Sequence, residues 1–389
     1  MNLKQASDVM IRTHIAALNM GARPNAVEIK SGPGVGKSST VRQVCAAIAR
    51  IANEPVGLVT EMLATIQSVD IRGFMLPQKG ANGTLETVFS TPPWYPGARN
   101  VTVFMPDGTV FEKGLYTGPV PRIGICFLDE WGQAQDDSKA AAAELLLNGE
   151  VGNTRLPMGW RVIAASNRLS DRAGVIRPLT FITNRRMELS IDAHLGTWED
   201  WAASLPENLR PHHLTLSFAH GEPGLVFKDA VPAGDAPFCT PRTLVLMDRD
   251  LRALRSDEDI ELGRLPMDNI AREVCSGWIG GGESAQYFMH IKFSDELPRI
   301  EDIEADPMKA KLPPKRDAQM VCAFKIAHHV GKTNVDQILK YMERLNIEMQ
   351  ILAVKTITAN QERAGYAQNT ARFTNWLLKN KDVFIASRT

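Results

Sequence analysis

Residues 31–40 read SGPGVGKSST, with three glycines, a proline and a lysine between two segments of opposite periodicity. AVEIK before it alternates like a short strand, and TVRQVCAAIARI after it carries apolar residues at helical spacing. A run with so little to bury forces a tight strand–turn–helix passage, the first unit of a parallel α/β sheet. Glycines at 32, 34 and 36 would let backbone N–H groups converge on a phosphate that side chains would block, and the helix N-terminus adds its own partial positive charge. Gly32, Pro33, Gly34, Val35 and Gly36 would form the cradle, followed by Lys37, Ser38 and Ser39. Lys37 would reach the β- and γ-phosphates of ATP, and the Ser38 hydroxyl would hold Mg2+. The pattern G-x-x-x-x-G-K-[ST] has Ser31 at its first glycine, a modest weakening.

The chain has 389 residues, enough for two or three domains. Lys plus Arg and Asp plus Glu both number 44, so no global charge directs it to nucleic acid or membrane. The five cysteines are far apart without a C-x-x-C pair, which predicts reduced, buried thiols in a cytoplasmic protein. The N-terminal MNLKQASDVMIRTHIAAL reads as an amphipathic helix rather than a signal peptide, and no apolar run reaches membrane-span length. The histidine pairs 212–213 and 328–329 are sequence neighbours, so their side chains are expected to diverge, and a structural metal site is not expected.

Strand-like and helix-like runs alternate up to about residue 195, the pattern of a parallel sheet with helices on its faces. AVEIK, GLVTEML, RIGICFLDE, RVIAAS and RMELSI are the expected strands. Residues 85–117 read as extended segments with PDGT as a hairpin turn, and 149–160 as a second hairpin. Between them DDSKAAAAELLLNG predicts a helix stopped by glycine. The expected division is an α/β core over 1–204, a helical lid over 205–293, and an extended strap with a helical segment over 294–389.

RIGICFLDEWGQA is a continuous apolar strand ending in Asp-Glu, as expected for a strand buried on both faces. Its carboxyl end would lie beside the glycine-rich loop. Asp129 would bind Mg2+ directly or through water, and Glu130 would orient and polarise the attacking water. RVIAASNRL delivers Asn167 from an alanine-containing strand, a placement that suits a residue facing the γ-phosphate as well as a turn.

GPGVGKSS, GICFLDEWGQA, LPMGWRVIAASNRLSDRAGV and FCTPRTL together resemble the AAA+ ATPases of the MoxR type, over roughly residues 25–315. The nearest branch contains bacterial and phage ATPases often encoded beside von Willebrand factor A-like or metallopeptidase-like partners. The resemblance implies a homo-oligomeric, hexameric or similar ring with ATP bound between subunits. It places Asn167 at the first sensor, Arg185 at the arginine finger and Arg242 at the second sensor. Arg186 stands where the family usually has phenylalanine, so Arg185, Arg186 and Arg172 are the candidates for the finger. The two hairpins would be the inserts that line the ring pore. Trp94, Tyr95, Phe104 and Phe111 fit the core of those hairpins better than a grip on a client.

The resulting expectation is a ring-forming ATPase that remodels a protein client. The alternative is a nucleic-acid-dependent motor or loader. It is motivated by the segment from Met308 onward, which has 14 Lys or Arg against 6 Asp or Glu.

Overall fold

A computed structural model of the chain describes residues 1–80, 83–97, 99–168, 184–228, 231–232, 234–292, 296–381 and 384. It divides into two compact units, one running from Met1 to Ala193 and the other formed by most of the chain from His194 on.

In the first unit, β1 (Val27–Lys30) leads through the glycine-rich loop into α2 (Lys37–Ala52), after an N-terminal helix α1 (Leu3–Asn19). The remaining strands are β2 (Val56–Met62), β3 (Met75–Lys79), β4 (Leu85–Phe89), β5 (Thr102–Phe104), β6 (Val110–Phe111), β7 (Ile123–Asp129), β8 (Glu150–Val151), β9 (Thr154–Arg155), β10 (Gly159–Ser166) and β11 (Met187–Ser190). A seven-stranded sheet has the order β11-β1-β10-β7-β2-β5-β6. Its first five strands are mutually parallel, and β5 and β6 are added antiparallel at one edge. The five strands read from the sequence are those five. The first unit is thus a mixed α/β unit with a mostly parallel sheet, and a helical unit follows it in the chain.

Every residue of β10 and all but the last of β7 are buried, the reason these strands read as unbroken apolar runs. One face is covered by α1 and α2, whose Met10, Val41, Val44 and Ile48 join Ile29, Ile125 and Ile163 in a core. The other is covered by α3 (Ser68–Arg72) and α4 (Asp136–Asn148), with Ala142 and Leu145 against Val59, Cys126 and Leu128. Buried Arg161 fastens α1 to the sheet, bonding Met10 O at 2.6 Å and Thr13 Oγ1 at 2.9 Å. His14 donates from Nε2 to Gly159 O at 3.1 Å.

Two glycines are required by one ring. Gly57, Gly124 and Trp160 lie side by side on β2, β7 and β10, and the buried indole covers both glycines. A Cβ on Gly57 would sit 2.7 Å from the ring and one on Gly124 2.4 Å from it. The Pro106-Asp107-Gly108 turn does join two antiparallel strands, and these, β5 and β6, extend the main sheet. A separate ribbon, β3 with β4, begins ten residues before the expected extended segment, while β8 and β9 form the short hairpin after α4. Trp94 and Phe104 are core, whereas Met75, Leu76, Leu85 and Phe89 on the separate ribbon are exposed.

The second unit is helical and builds one core from Trp198 to Trp376. The proline-rich segment after residue 296 is not simply extended: it contains the helix Ile300–Ala305, and Ile300, Ile303 and Ala310 are buried. Side chains satisfy its carbonyls. Lys325 bonds Pro298 O at 3.0 Å, Arg344 bonds Pro307 O at 2.6 Å and Ala310 O at 2.9 Å, and Tyr341 bonds Lys311 O at 2.7 Å. The rings of His212 and His213 do not diverge but stack with centroids 4.1 Å apart, because His212 caps the helix His213–Gly221 through its Nδ1. Burial, reinforced by Arg255 and Arg252, pushes His212 down to about 3. His213 and His328 are driven well below 6.5 by the same desolvation. All five cysteines are buried and free, and among the described residues no helix is long and apolar enough to cross a membrane.

Two outcomes follow from this packing. Gly124→Ala should cost about 1–3 kcal/mol, read as a lower thermal midpoint, and Trp160→Leu in the same chain should recover part of the loss. Buried neutral histidines bind protons only when the chain unfolds, so stability is full above pH 6.5 and falls as pH drops from 6.5 toward 3. His212 should contribute a loss of roughly 1 kcal/mol per pH unit in that window, measured by denaturant titration at pH 7 and 5.

Candidate functional site

Parallel pairing brings the carboxyl ends of β1, β10 and β7 to one edge of the sheet, where the loops leaving them meet. The loop after β1 depends on two glycines in left-handed conformation, Gly34 at φ 71° and Gly36 at φ 111°. Gly36 begins α2 with no side-chain cap, so the N-terminal N–H groups of the helix are not taken up by a capping side chain. Ser31, the departure from the glycine pattern, needs no left-handed backbone. It is fully buried, donates from its N–H to Ser166 O at 3.3 Å and from Oγ to Gly32 O at 3.0 Å. Serine fits there and adds an acceptor to the loop.

Lys37 Nζ donates to Asn167 Oδ1 at 2.7 Å, to Ser31 Oγ at 3.2 Å, to Gly32 O at 3.2 Å and to Ser31 O at 3.3 Å. Ser38 Oγ donates to Asp129 Oδ2 at 2.7 Å. The loop, the end of β10 and the end of β7 are thus within direct contact of one another. Glu130 follows in left-handed backbone (φ 53°, ψ 34°), and its N–H donates to Asp129 Oδ1 at 2.9 Å. A non-glycine residue held there carries strain, and such strain gathers at working sites. The Glu130 side chain is exposed.

This donor set fits a phosphate and a hard divalent cation. The cradle offers backbone N–H groups, an uncapped helix start and the Lys37 ammonium, while Ser38 and Asp129 present oxygen ligands of the kind Mg2+ takes. Among the described residues no group of three His, Cys, Asp or Glu forms another candidate metal centre.

The arginines separate. Arg186 is buried, its side chain 1% exposed, and its Nε pairs with Glu28 of β1, itself 2% exposed. This side chain is held within the unit by its pairing with Glu28. Arg185, one residue earlier, is half-buried. Arg172 lies outside the described residues. Arg242 belongs to the second unit, where it is exposed on the first turn of the helix Pro241–Ala253, whose Thr240 cap accepts from Thr243 N at 3.1 Å. Glu28 was not legible as a site residue, because its partner lies 158 residues away.

Neither a protein-family model nor a curated protein matches the chain. Solved structures that match include NtrX from Brucella abortus, at 14% identity and a TM-score of 0.28, covering 71% of this chain and 64% of that one. The chain therefore spans slightly less than two thirds of the NtrX length. A RuvB mutant from Thermotoga maritima matches at 9% identity and a TM-score of 0.31, covering 96% of this chain and 91% of that one.

Glu130→Gly should relieve the backbone strain and raise stability by up to about 1 kcal/mol, whereas Glu130→Gln should leave the thermal midpoint unchanged. Equal midpoints for both variants would show that the left-handed turn stores nothing.

Proposed function

We propose that the chain is an ATP hydrolase of the AAA+ class that works as a homo-oligomeric ring, in the manner of the MoxR type, to remodel a protein client. The observation that carries this reading is the joined pair of contacts Lys37–Asn167 and Ser38–Asp129, with Glu130 beside them. Gly32 to Gly36 cradle the phosphates, with Ser39 following in the helix, and Lys37 supplies the fixed cation. Ser38 and Asp129 would hold Mg2+, which would supply positive charge toward the phosphate oxygens. Glu130 orients and polarises the attacking water and takes up its proton as the new bond to the γ-phosphorus forms and the bond to the bridging oxygen breaks, leaving ADP and phosphate. With Asn167 Oδ1 engaged by Lys37, its amide N–H groups remain to donate toward the γ-phosphate or that water.

Arg185 is the finger, contributed to the site of the next subunit, where a fixed cation raises the rate by about 10³–10⁵-fold. The helices from about residue 205 act as the lid, and Arg242 senses the γ-phosphate from it. The client is a protein such as a von Willebrand factor A-like partner. Several cations of the basic segment are already engaged within the unit: Lys309, Lys315, Arg316 and Arg372 with carboxylates, and Lys325, Arg344 and Arg363 with carbonyls. Of these, the buried Lys325 and Arg363 are withdrawn from any nucleic-acid contact.

Lys37→Ala should impair ATP binding, while Glu130→Gln should bind ATP and fail to hydrolyse it. Arg242→Ala should cut turnover with little loss of binding. Mixing Arg185→Ala with Glu130→Gln subunits should restore hydrolysis once exchange is confirmed by native mass measurement. A dilute monomer hydrolysing at full rate would refute the shared site. Stimulation by DNA or RNA rather than by a protein partner would favour the alternative.

A further inference from the structure

Beneath the phosphate loop, three strands converge on one buried carboxylate. Glu28 of β1 accepts from Ser166 Oγ of β10 at 2.8 Å through Oε1, and from Arg186 Nε, just before β11, through Oε2. Lys30 Nζ lies 3.9 Å from the same Oε2 and bonds Glu188 Oε2 of β11 at 2.7 Å. Ser166 immediately precedes Asn167, and Arg186 immediately follows Arg185. The backbone closes the same unit: Met187 N donates to Ala26 O at 2.9 Å and Ile191 N to Lys30 O at 2.7 Å.

We propose that Arg186 is a positioning residue: through Glu28 it fixes the Arg185 segment against the strand that feeds the phosphate loop. The inference rests on the reading of Arg185 as the finger. Burying two charges is costly, and a well-packed apolar pair would serve a purely structural role as well or better. What an ion pair adds is direction. The guanidinium must meet Oε2 in one geometry, and Oε1 is already taken by Ser166. Adjacent Cα atoms are held about 3.8 Å apart, so an anchored Arg186 leaves the Arg185 backbone little freedom relative to β1. A finger displaced by about 1 Å can lose about 100-fold in rate. The phenylalanine that the resembling family has at this position could pack there but could not be aimed in this way.

The test compares the full-length wild type with the double variant Glu28→Gln/Arg186→Met. The amide introduced at position 28 can still take the Ser166 hydroxyl, and neither charge is left buried without its partner. The readings are ATP affinity, kcat, and amide hydrogen exchange in peptides covering 184–190 and 162–167. The expected result is unchanged affinity, kcat lowered about 10–100-fold, and faster exchange confined to 184–190. A double variant with wild-type kcat, or with wild-type exchange at 184–190, overturns the proposal. Should that variant fail to fold, Arg186→Lys, which keeps the charge and moves the donor, decides on the same readings. If the wild type does not hydrolyse ATP, the proposed function fails. The exchange pattern then still decides whether Arg186 fixes the segment.

Discussion

The parallel pairing of β1 with β10, and of β10 with β7, is the constraint on which the site depends. Adjacent strands lie about 4.8 Å apart, so the loops that leave their carboxyl ends are within side-chain reach of one another. Lys37 spans from the first loop to Asn167, just past the end of the neighbouring strand, and Ser38 meets Asp129, which ends the strand after that. Each contact joins residues far apart in sequence without any segment built for the purpose. The register holds because both faces are buried: a slip of one residue would carry Ile125 and Ile163 away from the α2 side and bring polar atoms in. Trp160, lying across Gly57 and Gly124, adds a lock that only one register satisfies.

Much of this arrangement is legible in the sequence, for a physical reason. Glycine at 34 and 36 is demanded by left-handed backbone, and unbroken apolar runs at β7 and β10 are demanded by burial on two faces. Such requirements are local and leave a local trace. Glu28 and Arg186 leave none. A four-residue strand with an acid in it looks half-exposed, and only the sheet order reveals that the acid faces an arginine arriving just ahead of another strand. Strand β3 escaped for the opposite reason, although its partner β4 falls within the segment read as extended. The residues of β3 are exposed on both faces, so no alternation marks it. In the second unit, proline-rich sequence suggested an extended strap, but its carbonyls are held by lysine, arginine and tyrosine side chains from helices that follow it.

The polar contacts at the edge of the sheet fall into two layers of different character. The upper layer joins Lys37 to two carbonyls, a hydroxyl and an amide, and Ser38 to Asp129, all part-buried. Those four acceptors of Lys37 are neutral, and an ammonium gives such groups up readily for a charged oxygen, since charge-assisted hydrogen bonds are roughly twice as strong. The lower layer is the Glu28–Arg186 pair, in which both partners are charged and enclosed. Exchange there would strand a buried charge, which costs several kcal/mol. A site of this kind can rearrange above while its strands stay fixed below. Ser166 and Asn167, neighbours in the chain, divide between the layers: one hydroxyl is bound to Glu28, and the next side chain is bound to Lys37. One peptide thus connects the rigid layer to the exchangeable one, and the position of Asn167 is set from below before anything binds above it.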